Sequence, residues 1–230
     1  MRTKSLNALM LCMLLLLSAC GKKRGIINGH EWVDLGLPSG TLWATCNVGA
    51  DSPQETGDFF AWGEVEPKSE YSWNTYRHGH AKDKITKYSS VYGEGNIYGY
   101  RGFIDNKTCL EQLDDAATVN WGAEWCTPSV GDWAELAENC EWKQILSPYN
   151  NDSIGVYVTG PNGNSIFLPS RGRFKKYEDY NRGFYWACED DGCGCACGLE
   201  ISYGVVCPLA DAGLERCEGL LVRPIVVRGK

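Results

Sequence analysis

Residues 30–48 read His30-Glu31-Trp32-Val33-Asp34-Leu35-Gly36-Leu37-Pro38-Ser39-Gly40-Thr41-Leu42-Trp43-Ala44-Thr45-Cys46-Asn47-Val48. Pro38-Ser39-Gly40 is a turn sequence between two largely apolar runs, so His30 to Leu37 and Thr41 to Val48 are predicted as short strands joined there. Asp58 to Trp62 reads as a further strand. Residues 64–107 are polar, aromatic and glycine-rich without period, and are expected to form a long excursion with little regular structure.

Two helices are expected next. Asp105, Asn106 or Thr108 offers a cap for the first, after which Leu110, Leu113 and Ala117 share one face. Ser129 with Asp132 resembles a capping box, followed by an apolar stripe of Trp133, Leu136, Ala137 and Cys140 that suits a core. Strands return with Ile154 to Thr159 and Ser165 to Leu168, joined through Gly160-Pro161-Asn162-Gly163-Asn164. Its Asn-Gly is the strongest hairpin signal in the chain. Gly183 to Cys188, Gly198 to Tyr203 and Leu220 to Val227 complete an α+β pattern with short antiparallel sheets, two helices and long irregular loops.

The chain has 230 residues, with 27 Gly, 9 Trp, 12 Tyr and only 3 Met. That mix favours turn-rich β structure over a helical bundle. Arg2 and Lys4 precede an apolar stretch from Ala8 to Leu17, the layout of a signal peptide, and too short to span a bilayer. Leu17-Ser18-Ala19-Cys20 looks like a bacterial lipobox. Residues 1–19 are thus expected to be removed, Cys20 to carry acyl chains as a membrane anchor, residues 20–29 to form a tether, and residues 30–228 to form the domain. Without residues 1–19 the 22 basic residues lose Arg2 and Lys4 while all 29 acidic residues stay, a formal charge of −9. Nucleic acid, which needs a basic footprint, is excluded as a partner.

His30 to Ala50 resembles the opening of the Fibrobacter succinogenes major paralogous domain, common in Bacteroides-group lipoproteins. Phe60-Ala61-Trp62-Gly63-Glu64, Asp114-Asp115-Ala116-Ala117, Asn120-Trp121-Gly122, residues 160–169, Tyr185-Trp186 and Val222-Arg223-Pro224 keep the family order. The resemblance implies a C-type-lectin-like fold, related to the formylglycine-generating-enzyme group, in which N- and C-terminal strands pair. It implies no set activity, since fold does not fix function. Basic Gly21-Lys22-Lys23-Arg24-Gly25 after the lipobox, where surface-exported relatives carry acids, leans toward an outer-membrane lipoprotein on the periplasmic face. Two stretches depart from the family. Cys126-Thr127-Pro128-Ser129 replaces an Arg-Met-Pro-Thr pattern, and Ala187-Cys188-Glu189-Asp190-Asp191-Gly192-Cys193-Gly194-Cys195-Ala196-Cys197 replaces a serine loop.

Ten cysteines remain beyond Cys12 and Cys20: Cys46, Cys109, Cys126, Cys140, Cys188, Cys193, Cys195, Cys197, Cys207 and Cys217. In an exported chain disulfides are the default, so a disulfide-rich domain is expected, with connectivity left open by spacing. The resemblance makes Cys46–Cys140 the first pair to consider, and Cys126–Cys188 a second. Alternation in a strand would place Cys193, Cys195 and Cys197 on one face, where soft thiolates suit Cu(I) or Zn(II); sulfatase-activating relatives use a cysteine pair with copper. Bridges are the preferred reading, and no metal or cofactor is expected.

No HExxH, nucleophile elbow, P-loop or dinucleotide-binding glycine pattern occurs. His78-Gly79-His80 reads as an exposed loop. The acidic pairs Asp114-Asp115, Glu178-Asp179 and Glu189-Asp190-Asp191 read as solvated surface, since acid–base work needs carboxylates facing across a cleft. Aromatic faces stack on sugars and anchor interfaces, which makes Tyr71, Trp73, Tyr76, Tyr98 and Tyr100 ligand-binding candidates; packing of the excursion onto the domain is the competing role. The sequence therefore predicts a non-catalytic, lipid-anchored envelope module that binds a glycan or an envelope protein. The alternatives are a metal- or thiol-dependent enzyme built on Cys193–Cys197, and a structural scaffold lipoprotein.

Overall fold

The computed structural model describes residues 24–89, 104–150, 152–170, 174, 182–191, 194–202 and 205–227, with residues 205–213 as backbone only. Cys20, Tyr98, Tyr100, Cys193, the Cys207 side chain and the pair Glu178-Asp179 lie outside the described residues.

An α+β architecture is observed. Strands β1 (Arg24–Ile27), β2 (His30–Asp34) and β3 (Leu42–Ala44) form an antiparallel run, which β11 (Ile225–Val226) and β4 (Trp125–Cys126) complete in the order β1-β2-β3-β11-β4. The segment expected as tether thus ends in a strand. Asn28 and Gly29, at φ of 50° and 86°, form the two-residue turn that pairs Ile27 with His30, a conformation Asn-Gly adopts readily. The turn at Pro38-Ser39-Gly40 closes as expected, with the Gly40 N–H on the Leu37 carbonyl at 2.9 Å. The Ser39 amide also donates to Glu135 at 2.8 Å.

Helix α1 (Ala116–Trp121) is shorter and later than the sequence suggested. Its cap is Asp115, whose carboxylate accepts from the Ala117 amide at 2.9 Å and from Thr127 at both the amide and the hydroxyl. Asp105 instead accepts the amides of Tyr88, Ser89 and Lys107, and Leu113 is 82% exposed. Helix α2 (Val130–Asn139) carries the expected capping box, and Trp133 and Leu136 are buried. Glu189 adds a second anchor by accepting the Val130 amide at 2.9 Å, favourable beside the positive end of the helix.

Two three-stranded antiparallel sheets follow. One holds β5 (Glu141–Leu146), β6 (Ser153–Thr159) and β7 (Ser165–Pro169), and the other β8 (Arg182–Asp190), β9 (Cys195–Ser202) and β10 (Val205–Glu215). The Asn-Gly hairpin is β6–β7, with Gly163 at φ 80°. Both its asparagines reach back to the first sheet, donating to the Asp34 carbonyl at 2.8 and 2.6 Å. A Cβ at Gly160 would sit 2.0 Å from the Leu35 carbonyl oxygen, so only glycine permits this approach. The predicted strand at Asp58–Trp62 contracts to one bridge, Phe60 with Leu220.

Alternation along the strands divides the core. Val33, Trp43, Trp133, Leu136, Val156, Leu168, Leu199 and Ile201 pack on one side; Phe60, Trp62, Trp121, Trp125, Phe184, Trp186 and Leu220 pack on the other. Two arginines are buried within this apolar mass. Arg216 lies over the Trp62 ring at 4.7 Å, faces Asp190 at 3.3 Å and donates to the Cys195 and Tyr88 carbonyls. Asp190 is therefore an interior partner of Arg216 rather than solvated surface.

Candidate functional site

A polar cleft of about 390 Å³ opens where three stretches of chain meet. Gln54 and Thr56 come from the loop after β3. Ser147, Asn150, Asp152, Ser153 and Ile154 come from the β5–β6 connection and its entry into β6. Pro169 and Ser170 close the cleft from the end of β7. The β5–β6 loop is braced by its own polar groups: the Ser147 amide donates to the Asp152 carbonyl at 2.7 Å, and the Asp152 amide to Asn150 Oδ1 at 3.3 Å. Ser153 and Ser170 hydroxyls meet at 3.3 Å across the cleft floor. Tyr149, on the same loop, is 95% exposed.

Two walls of this cleft share a buried hub. Arg223, fully buried, donates through Nε to Asn47 Oδ1 at 2.8 Å and through its terminal nitrogens to the carbonyls of Ala44 at 2.9 Å and Phe167 at 2.8 Å. Asn47 passes the tie on by donating to the Thr56 carbonyl at 2.8 Å. The Tyr185 hydroxyl holds the opposite wall through the Pro169 carbonyl at 2.8 Å. Burial pulls Arg223 below its ordinary pKa, against the opposing pull of Tyr185 and Cys46; two carbonyls and an amide oxygen hold the cation.

The loop after β3 also borders a second cleft, of about 320 Å³, with Ala50, Asp51 and Pro53 facing His30, Glu31, Cys46 and Trp121. His30 stacks on Trp121 at 3.7 Å with the rings nearly parallel, and burial lowers its pKa, which keeps it neutral. A third polar centre is interior. Asp114 accepts from Lys87 and from the Tyr88 hydroxyl at 2.6 Å, with His78 at 3.8 Å. Burial alone would raise the Asp114 carboxyl, but these hydrogen bonds outweigh it and hold the group below the usual carboxylate range. Asp114, Asp115 and His78 are therefore core residues, against the surface and exposed-loop readings; only His80 of that histidine pair is exposed.

The expected aromatic candidates divide. Tyr76 is 2% exposed, its hydroxyl donates to the Trp62 carbonyl at 2.9 Å, and it belongs to the packing of the excursion. Trp73 packs edge-on against it at 5.5 Å and is half-buried. Tyr71 is half-buried too, accepting the Lys68 amide and donating to the Phe59 carbonyl. These residues fasten a loop rather than line either cleft.

Cys195 and Cys197 stand two apart in β9, so alternation sets them on one face of the strand, as expected, while Cys193 lies outside the described residues. Gly194, at φ 83°, turns the chain just before β9, so the strand begins at Cys195. Cys197 packs in the first half of the core and donates to the Asp190 carbonyl at 3.3 Å; burial pushes its thiol up to about 12. Lys82 pairs with Glu215 at 3.5 Å close to Cys195. Cys46 and Cys140 are both thiols and pack against opposite halves of the core, and Cys188 is not bonded to Cys126. Among the described residues no group of three His, Cys, Asp or Glu side chains is placed to share a metal ion. Compared with known proteins, the chain matches no family model, no curated protein and no solved structure.

Proposed function

We propose that this protein is a non-catalytic, glycan-binding module of the bacterial envelope, with the cleft between Gln54, Asn150 and Ser170 as its ligand site. The supporting observation is the cleft's chemistry. Amides at Gln54 and Asn150, hydroxyls at Thr56, Ser147, Ser153 and Ser170, and one carboxylate at Asp152 line a cavity that Ile154 and Pro169 also border. That alternation of hydrogen-bonding and apolar patches suits a polyhydroxylated ring, and the neighbouring exposed Tyr149 offers a stacking face. The domain is read as C-type-lectin-like, with its N- and C-terminal strands paired in one sheet. Lipidation at Cys20 would hold it at the outer membrane, periplasmic face inward, as the lipobox and the basic tether indicate. An envelope protein presenting a glycan is the natural partner.

Calorimetric titration with a panel of envelope oligosaccharides, including soluble peptidoglycan fragments, tests the reading. Binding by wild type that is weakened in both Asp152→Ala and Tyr149→Ala is the expected result. A silent panel, or binding indifferent to both substitutions, would overturn it.

A further inference from the structure

We propose that Cys109 and Cys188 are joined by a disulfide in the mature protein. The two segments that carry them run antiparallel: the Leu110 amide donates to the Cys188 carbonyl at 2.8 Å, and the Asp190 amide to the Thr108 carbonyl at 2.9 Å. Cys109 pairs opposite Glu189, one residue from Cys188. In an unbroken ladder the two sulfurs would point to opposite faces. β8 is broken at this place, since its register with β9 shifts between Trp186 and Asp190 and the Cys188 amide turns to the Pro128 carbonyl at 2.9 Å. The thiols of Cys109 and Cys188 are close enough to perturb each other's ionisation. Neighbours on paired segments lie within the Cα span that a disulfide tolerates, so closing the bond asks little backbone movement.

The chemistry has a direction. Cys109 is exposed, while Cys188 is half-buried. The Cys188 thiol beside it favours the Cys109 thiolate, and the same proximity together with burial raises Cys188. The Cys109 thiolate attacks one sulfur of a disulfide-bearing oxidant, a small or protein dithiol in its oxidised form, forming a mixed disulfide and expelling one donor thiolate. Cys188, its proton lost to solvent, attacks the Cys109 sulfur and expels the second donor thiolate. One sulfur–sulfur bond breaks and one forms, and two electrons leave the pair to reduce the donor. The link fastens the segment that leads into α1 to the end of β8, beside the Glu189 that anchors α2.

The test is a non-reducing peptide map of the full chain exported to an oxidising compartment, with iodoacetamide blocking before digestion. Peptides bearing Cys109 and Cys188 should travel as one cross-linked species that dithiothreitol splits, and Cys109→Ser should expose Cys188 to alkylation without altering the rest of the map. Alkylated Cys109 in unreduced wild type, or Cys188 bound to any other cysteine, overturns the proposal. The wild-type map decides even if the variant fails to accumulate.

Discussion

Arg223 and Asn47, 176 residues apart in sequence, are joined in the interior by a 2.8 Å hydrogen bond from Nε to Oδ1. The bond couples the C-terminal segment to the loop that supplies Gln54 and Thr56, because the Asn47 amide continues to Thr56. Arg223→Met should leave two buried carbonyls and an amide oxygen without donors, costing about 3–5 kcal/mol by denaturant titration. Arg223→Lys should recover only part of this, since one ammonium cannot span three acceptors set around a planar fork. A midpoint unchanged in Arg223→Met would refute the role.

Acid stability should depend on Asp114. Its folded-state pKa lies below the ordinary 3.8, as does that of Asp105, where three amides outweigh burial. A depressed carboxylate contributes stability that is complete above the unfolded value and lost as pH falls through the folded one. Urea midpoints should therefore decline below pH 3.8, and Asp114→Asn should flatten that decline while lowering stability at neutral pH. An identical acid slope in the variant would sink the assignment.

Tyr149→Ala should weaken glycan binding about 3- to 10-fold, the range of a lost stacking contact. At 95% exposure the ring has little to give to the fold, so the melting temperature should stay within about 1 °C of wild type. A comparable loss of stability would mean that the ring is structural.

Thiol reactivity should follow burial in the reduced, folded protein. Cys109, exposed and favoured as thiolate, should react first with iodoacetamide at neutral pH. Cys140, pushed up to about 11 by burial and by Glu135, should react only near the unfolding transition, as should Cys197. Mass spectrometry of timed alkylation reads the order directly.

Gly160→Ala should destabilise by about 1–3 kcal/mol, because its methyl group meets the Leu35 carbonyl that the hairpin packs against. Gly163→Ala meets no atom within 4 Å and should cost only what its positive φ demands.

Local signals were readable where local physics governs. Asn162-Gly163 and the Ser129–Asp132 box report their turn and cap directly, and the tryptophans at 43, 62, 121 and 186 are core as their size suggests. Asn28-Gly29 carries the same turn chemistry, but the basic segment before it has the composition of a linker and masks the strand it belongs to. β5 follows α2 through Cys140 with no turn residue, and its alternation, with Glu141 and Lys143 outward and Trp142 and Gln144 half-buried, is short and lapses at Leu146, which is 47% exposed. Asp114 and Asp115 are indistinguishable in sequence from a surface pair, because Lys87, Tyr88 and Thr127 reach them only after folding. The cleft has no sequence signature for the same reason: its lining comes from residues 54–56, 147–154 and 169–170, brought together by Arg223 and Tyr185.

Residues 220–226 pair with Phe60, Tyr185, Trp43 and both residues of β4, and Val222 and Pro224 accept from the Val48 and Ala44 amides. The last-made part of the described chain thus forms the keystone of its first-made sheet. A nascent polypeptide cannot close that sheet until residues 220–226 have been made, and contacts of such sequence separation form slowly. Until β11 arrives the first sheet stands open between β3 and β4, and its arrival joins them. Truncation before Ile225 would leave β3 and β4 without the strand that joins them, opening the first sheet rather than merely trimming it.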